Sequence, residues 1–149
     1  MSVREVSPTD RAEWLRMRST LWEGDHADEI DAFFAESDPT LVTLVWDRGD
    51  GRLGGFLEAG QRDYAEGCDT SPVAFIEGWY VDADLRRQGV GAALVRATEA
   101  WAVARGFSEI ASDTEVSNTG SQAAHAALGY TEVERIVCFR KDLTPPTQS

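Results

Sequence analysis

Cysteine is scarce in this chain. Cys68 and Cys138 are the only two, in neither a Cys-x-x-Cys nor a metal-type spacing, so no disulfide framework is expected and both read as reduced thiols. Histidine is as rare: His26 and His125 stand far apart in sequence, with no Cys or His partner at ligand spacing, and no metal is expected. No run of about 18 apolar residues occurs, and the N-terminus lacks a signal-peptide pattern. The chain therefore reads as cytoplasmic. Basic charge is short too. Against 26 Asp and Glu stand 14 Lys and Arg, a net charge of −12, which speaks against nucleic acid and anionic membrane as partners and suits a cationic small molecule. Internal repeats and low-complexity segments are missing. What is present is a 42% hydrophobic share of 149 residues, enough to build the core of one domain.

The most informative stretch runs from Glu77 to Arg96. Phe75, Trp79 and Val81 alternate with Ile76 and Tyr80 in a β-branched and aromatic run, which predicts a strand. Asp82-Ala-Asp breaks it. Arg86-Arg-Gln-Gly-Val-Gly91 follows, and from Val90 apolar residues recur at helical spacing through positions 94, 97, 101 and 104. A strand that passes through glycines into a helix N-terminus builds an anion site. Gly89 and Gly91 let backbone and ligand come close, the first helical N–H groups have no internal acceptor, and the macrodipole adds positive potential. Arg86 and Arg87 add donors suited to phosphate.

The order of residues separates the phosphate-binding families. A P-loop needs Gly-Lys-Ser/Thr, and Val90-Gly91-Ala92 lacks it; the dinucleotide fingerprint Gly-x-Gly-x-x-Gly fails at Leu94. The pattern Arg86-x-x-Gly89-x-Gly91, between an aromatic strand and an Ala-rich helix, resembles the acetyl-CoA motif of the GCN5-related N-acetyltransferase (GNAT) superfamily. That resemblance implies that the loop amides hold the CoA pyrophosphate and that the strand runs beside the pantetheine arm.

Taken in order, Ser2–Ser7 reads as a first strand. Pro8, Thr9 and Asp10 open a helix, with Asp10 and Glu13 as cap and partner, that carries Trp14, Leu15, Met17, Leu21 and Trp22 and stops at Gly24. A second helix spans His26–Glu36. Strands at Leu41–Trp46 and Arg52–Ala59 are joined by Asp47-Arg-Gly-Asp-Gly51, which is hairpin turn chemistry. Gly60–Pro72 is a long polar loop with Tyr64 and Glu66 as its tools. After the central strand and helix come a strand at Ser108–Asp113, a polar loop, a helix at Thr119–Leu128 ended by Gly129, and a final strand at Tyr130–Lys141. The sum β-α-α-β-β-β-α-β-α-β predicts an α/β (α+β) fold, a mixed and mostly antiparallel sheet with helices on both faces. This is the order of the GNAT fold. The expected domain is a single one at 1–143, with a disordered tail at 144–149.

Several further motifs narrow the resemblance. Glu77-Gly-Trp-Tyr-Val-Asp82, Ala111-Ser-Asp113, Asn118, Ala124-His125-x-Ala127-Leu-Gly129 and Phe139-Arg-Lys141 are similar to the type I aminoglycoside 6'-N-acetyltransferases from Trp22 to Leu143. The resemblance implies that Trp22, His26, Tyr64, Glu77, Asp113, Asn118 and Glu134 line an aminoglycoside site, and that Trp79, Tyr80, Val81, Arg86, Arg87, Gln88, Gly89, Val90, Gly91 and Ala92 hold acetyl-CoA. It also implies a homodimer, for which the apolar final strand is the expected interface. An acidic site with aromatic faces suits a polyammonium sugar. Its 6'-ammonium must lose a proton before it attacks, to Glu77 or Asp113, directly or through water; a main-chain N–H near Val81 would then face the acyl oxygen. Neither cysteine has a base partner, so transfer is expected to be direct. Many superfamily members carry a tyrosine acid where this chain has His125, and the general acid stays unassigned. Acetylation of another amine, such as a polyamine or a protein N-terminus, and a non-catalytic acyl-CoA-binding module are the competing readings.

Overall fold

The computed structural model describes residues 2–144. Except for Thr144, the expected C-terminal tail lies outside the described residues. The chain divides into two compact units, Met1–Thr114 and Glu115–Ser149.

The first unit is built on a five-stranded sheet in the order β1-β2-β3-β4-β5, with β1 Ser2–Glu5, β2 Val42–Asp47, β3 Leu53–Arg62, β4 Val73–Val81 and β5 Ile110–Ser112. Neighbours are antiparallel except for the parallel pair β4–β5. Helices α1 (Arg11–Leu21) and α2 (Ala27–Glu36) precede β2, and α3 (Val90–Ala104) links β4 to β5.

Successive strand residues point to opposite faces, and β3 shows which helix covers which. Phe56 packs in a cluster with Trp14 and Met17 of α1, Ile30 of α2 and Val45 of β2. Its neighbour Gly55 lies so near Leu94 of α3 that a Cβ there would sit 3.2 Å from that side chain. So α1 and α2 cover one face and α3 the other. Covered on both sides, β4 opens with four buried residues, Val73, Ala74, Phe75 and Ile76, where a half-solvated strand would alternate.

Asp10 differs from the expected helix cap. It closes a short 3-10 turn, Pro8–Asp10, accepts the Ser7 N–H at 2.8 Å and takes both terminal nitrogens of Arg4. Glu13 instead reaches across to the Leu53 N–H at 3.0 Å.

The second unit holds α4 (Thr119–Ala127), followed by the turn at Gly129 (φ +90°). The expected strand at Tyr130–Lys141 is not formed: residues 131–143 carry no helix or strand. A strand exists only through a hydrogen-bonded neighbour, and this segment pairs with none in the sheet. Val133, Ile136, Val137 and Phe139 are accordingly exposed, Phe139 at 91%.

Candidate functional site

The site begins with an irregularity in β4. Against β3, Ile76 pairs with Ala59 and Gly78 with Glu58, which leaves Glu77 as an extra residue at a β-bulge. A bulge re-aims the side chain it carries. Glu77 is exposed between buried neighbours, on the face of Phe75 and Arg62, which reaches it from the end of β3. The Arg62 guanidinium grips the carboxylate with two hydrogen bonds, Nε to Oε1 at 3.0 Å and Nη2 to Oε2 at 2.8 Å, and lies 3.6 Å above the Phe75 ring centre. Strand β5 pairs Phe75 with Ala111 and Ile76 with Ser112. Asp113 follows directly on β5, and its charge acts on the Arg62 guanidinium that grips Glu77.

These carboxylates act together on one cation. Arg62 is held above its ordinary pKa, first by the hydrogen bonds it donates to Glu77, then by the charges of Glu77, Asp113 and Glu66, against some desolvation. Sequence reasoning missed Arg62 because the strand was expected to stop at Ala59.

Trp22 closes the neighbouring corner. Its indole lies over Gly78, where any Cβ would sit 2.3 Å from the ring, so only glycine permits this approach. Behind it, His26 is 6% exposed with Nε2 3.0 Å from the Trp22 carbonyl, so it touches the corner from inside. The loop from Asp63 to Pro72 is pinned at two points. Ala65 is buried with Val73 and Phe75, and Glu109 accepts the N–H groups of Asp69 and Thr70 at 2.9 and 2.8 Å. Just before the first of these anchors Tyr64 stands 68% exposed.

The other end of β4 leads to the phosphate-type loop. Arg87 (φ +64°) and Gly89 (φ +84°) both take the left-handed conformation, which turns successive N–H groups toward one side as an anion nest. Gly89 is the N-cap of α3, so the free N–H groups of that 15-residue helix continue the nest. Trp79 packs on Gly91, with ring atoms 3.2 Å from where a Cβ would be. Arg86 donates to the Val81 carbonyl at 3.2 Å and Gln88 to that of Asp84 at 2.8 Å; both side chains brace the loop. Tyr80 points to the opposite face, stacks on Phe56 and donates to Asp82 at 2.9 Å. An exposed, left-handed glycine with nothing within 4 Å of its missing Cβ leaves room for a diphosphate, so these residues fit CoA.

In the second unit, Asn118 caps α4 through its side-chain oxygen, which accepts the Ser121 N–H at 3.0 Å. The half-buried His125 donates through Nδ1 to the Ser121 carbonyl at 2.7 Å and meets the Tyr130 ring edge-on. Glu134 is exposed on the segment after Gly129 that carries no helix or strand. The structure thus gathers Trp22, His26, Glu77 and Asp113 around the bulge of the first unit, with Tyr64 on the adjoining loop, while Asn118 and Glu134 belong to the second.

Known proteins share this architecture. A family model described as Acetyltransferase (GNAT) family matches residues 9–130. Aminoglycoside N(6')-acetyltransferase type 1 of Klebsiella aerogenes is 48% identical over 147 residues, spanning 95% of this chain and 96% of that relative. The apo crystal structure of the 6'-N-acetyltransferase AAC(6')-IG from Acinetobacter haemolyticus has a TM-score of 0.86 at 34% identity, over 97% of this chain and 100% of that one. AAC(6')-Iy in complex with the bisubstrate analogue CoA-S-monomethyl-acetylneamine has a TM-score of 0.86 at 37% identity, over 95% and 97% of the two chains. With most of its length matched in sequence and in structure, the chain belongs to the Acetyltransferase (GNAT) family, alongside the type 1 aminoglycoside N(6')-acetyltransferases.

Proposed function

We propose that the protein transfers the acetyl group of acetyl-CoA directly to the 6'-amine of aminoglycoside antibiotics, a resistance activity. One observation carries this reading: the bulge in β4 turns Glu77 out near the end of β5, which Asp113 follows, on the same strand that leads into the left-handed turn at Arg87 and Gly89. An acidic acceptor site and a diphosphate cradle thus lie along one strand and the loop that it enters.

Acetyl-CoA supplies the activated acyl group as a thioester. The chain supplies the rest. Main-chain N–H groups from Arg87 to Ala92 hold the diphosphate, with Arg86 and Gln88 bracing the loop, and Trp79 and Val81 border the pantetheine arm. Glu77 holds the acceptor's ammonium. Asp113 takes its proton, directly or through water, because both oxygens of Glu77 already accept from Arg62. Trp22, backed by His26, and the exposed Tyr64 give flat faces for sugar rings. Attack of a free amine on a thioester needs no metal.

The enzyme works in the cytoplasm, where acetyl-CoA is available, and as a homodimer. The exposed apolar run from Val133 to Phe139 favours assembly, since such a patch is unstable in water. Phe139→Asp should shift the sedimentation coefficient from dimer toward monomer; an unchanged dimer would remove this segment from the interface. The function is tested by the mass and position of the product from kanamycin and acetyl-CoA. Acetylation at the 6'-amine is expected. Equal turnover of aminoglycosides without that amine, or a preference for spermidine or peptide amines, would overturn the assignment.

A further inference from the structure

The acceptor site already contains a cation. Arg62 spends the Nε–Nη2 edge of its guanidinium on Glu77 and lies over Phe75, so it is held in place by two independent contacts. Arg62 and Glu77 each keep 42% of their side-chain surface in water, and ion pairs of that exposure are weak and exchangeable. A carboxylate has about four lone-pair directions, of which this fork uses two. An arriving ammonium therefore has room on Glu77, but it arrives next to a positive charge.

We propose that Arg62 is the resident cation of the acceptor site: it makes the substrate's ammonium share Glu77 and, by its charge, drives that ammonium toward the neutral form that attacks the thioester. This rests on the reading of Glu77 as the ammonium's partner. Like charges at close range disfavour the charged form of whichever group can give up a proton. A guanidinium cannot give one up in practice, so the substrate's amine must. One N–H bond of the ammonium breaks, its electron pair stays on nitrogen, and the proton passes to Asp113 or to water. Asp113 and Glu66 keep the site anionic enough to admit a polycation in spite of Arg62, since both carboxylates are felt at the guanidinium. Arg62 thus weakens ground-state binding and favours the reacting form, which raises KM and kcat together.

The test is steady-state kinetics on kanamycin with Arg62→Gln, Arg62→Lys and Glu77→Gln, with acetyl-CoA affinity measured by calorimetry as a control. Arg62→Gln should lower the kanamycin KM by roughly 3- to 10-fold and kcat by a similar factor, on the scale of one like-charge contact near a protein surface, with acetyl-CoA affinity unchanged. Arg62→Lys keeps the charge without the fork and should restore both constants to within about two-fold of the parent. A Lys variant that behaves like Gln would overturn the proposal in favour of a purely geometric role, as would an Arg62→Gln variant with raised KM or unaltered kcat. If Glu77→Gln also leaves kanamycin kinetics intact, the reading of Glu77 falls and Arg62 with it; if only the Gln variant of Glu77 is impaired, this proposal alone falls.

Discussion

Two arginine–carboxylate groups sit on β4 and its exit, five residues apart, and they differ in almost every physical respect. Glu77 meets one arginine, and the pair is half in water. Asp82 meets three donors: Arg16 at 3.1 Å, Arg48 at 2.9 Å and the Tyr80 hydroxyl at 2.9 Å. It is only 7% exposed, and its own N–H is tied to the Gly54 carbonyl at 2.8 Å. The buried group links α1, the β2–β3 hairpin and the root of the anion loop. It is a clamp. The exposed group has a carboxylate with lone pairs to spare and a partner that can shift, which is what a binding site requires. The same residue chemistry makes a fixed clamp where water is excluded and leaves an exchangeable pair where water competes.

The largest expected effect comes at the exposed group. Glu77→Gln should lower kcat/KM for kanamycin by roughly 100-fold, the scale of a lost hydrogen bond between charged groups of about 1.5–3 kcal/mol, while the melting temperature hardly moves, because a half-exposed ion pair is worth about 0–1 kcal/mol. A large loss of stability with activity per folded molecule preserved would reverse the roles assigned to the two groups.

Asp82→Asn should behave the other way. Breaking a buried, multiply bonded carboxylate leaves Arg48 short of a partner; with Arg16 itself substantially exposed, a loss of about 2 kcal/mol is expected, or roughly 4–8 °C in melting temperature for a chain of this size. The pH dependence sharpens the contrast. Burial alone would raise the Asp82 carboxyl, but the hydrogen bonds from Arg16, Arg48 and Tyr80 outweigh it and hold it below the ordinary aspartate value. A carboxyl depressed in the folded state contributes stability that is present above its unfolded pKa and lost as pH falls through its folded one. The parent should therefore lose this share below about pH 4, and Asp82→Asn should lack that part of the acid transition. Glu58 works in the opposite sense, since burial raises its carboxyl; its contribution is full below its unfolded pKa and fades as pH rises. Equilibrium unfolding at several pH values separates the two, and an acid limb identical in parent and variant would remove Asp82 from the clamp.

How much of this could be read before any coordinates existed follows from the range of the forces involved. Helix α3 begins at Val90 as periodicity and the preceding glycines predict, because capping and turn chemistry act within a few residues. The left-handed glycine turn before it was legible for the same reason. The bulge at Glu77 was not, since it exists only in the register between β3 and β4 and a strand's residues do not announce where pairing slips. Arg62 stayed hidden with it. The apolar alternation after Gly129 predicted a strand correctly as a pattern and wrongly as an element, because a pattern cannot supply the neighbour that a strand must bond to. His26 shows the same limit. Its position beside Trp22 was readable, while its burial under that corner depends on helices packed from elsewhere in the chain.

The smallest effect tests whether the loop beyond Asp82 is a binding element in its own right or merely an extension of the clamp. Gly89 holds φ +84° with nothing within 4 Å of its missing Cβ, so Gly89→Ala introduces no clash and acts only through the left-handed backbone, at about 1 kcal/mol. If the nest binds the diphosphate, relaxation of that turn swings its N–H groups away and the acetyl-CoA dissociation constant should rise by roughly five-fold, with kanamycin KM unaltered. Calorimetry with acetyl-CoA on the folded variant reads this directly. An affinity that stays at the parent value while stability falls would mean that Gly89 serves only the turn, and the diphosphate would have to be held by the arginine side chains instead.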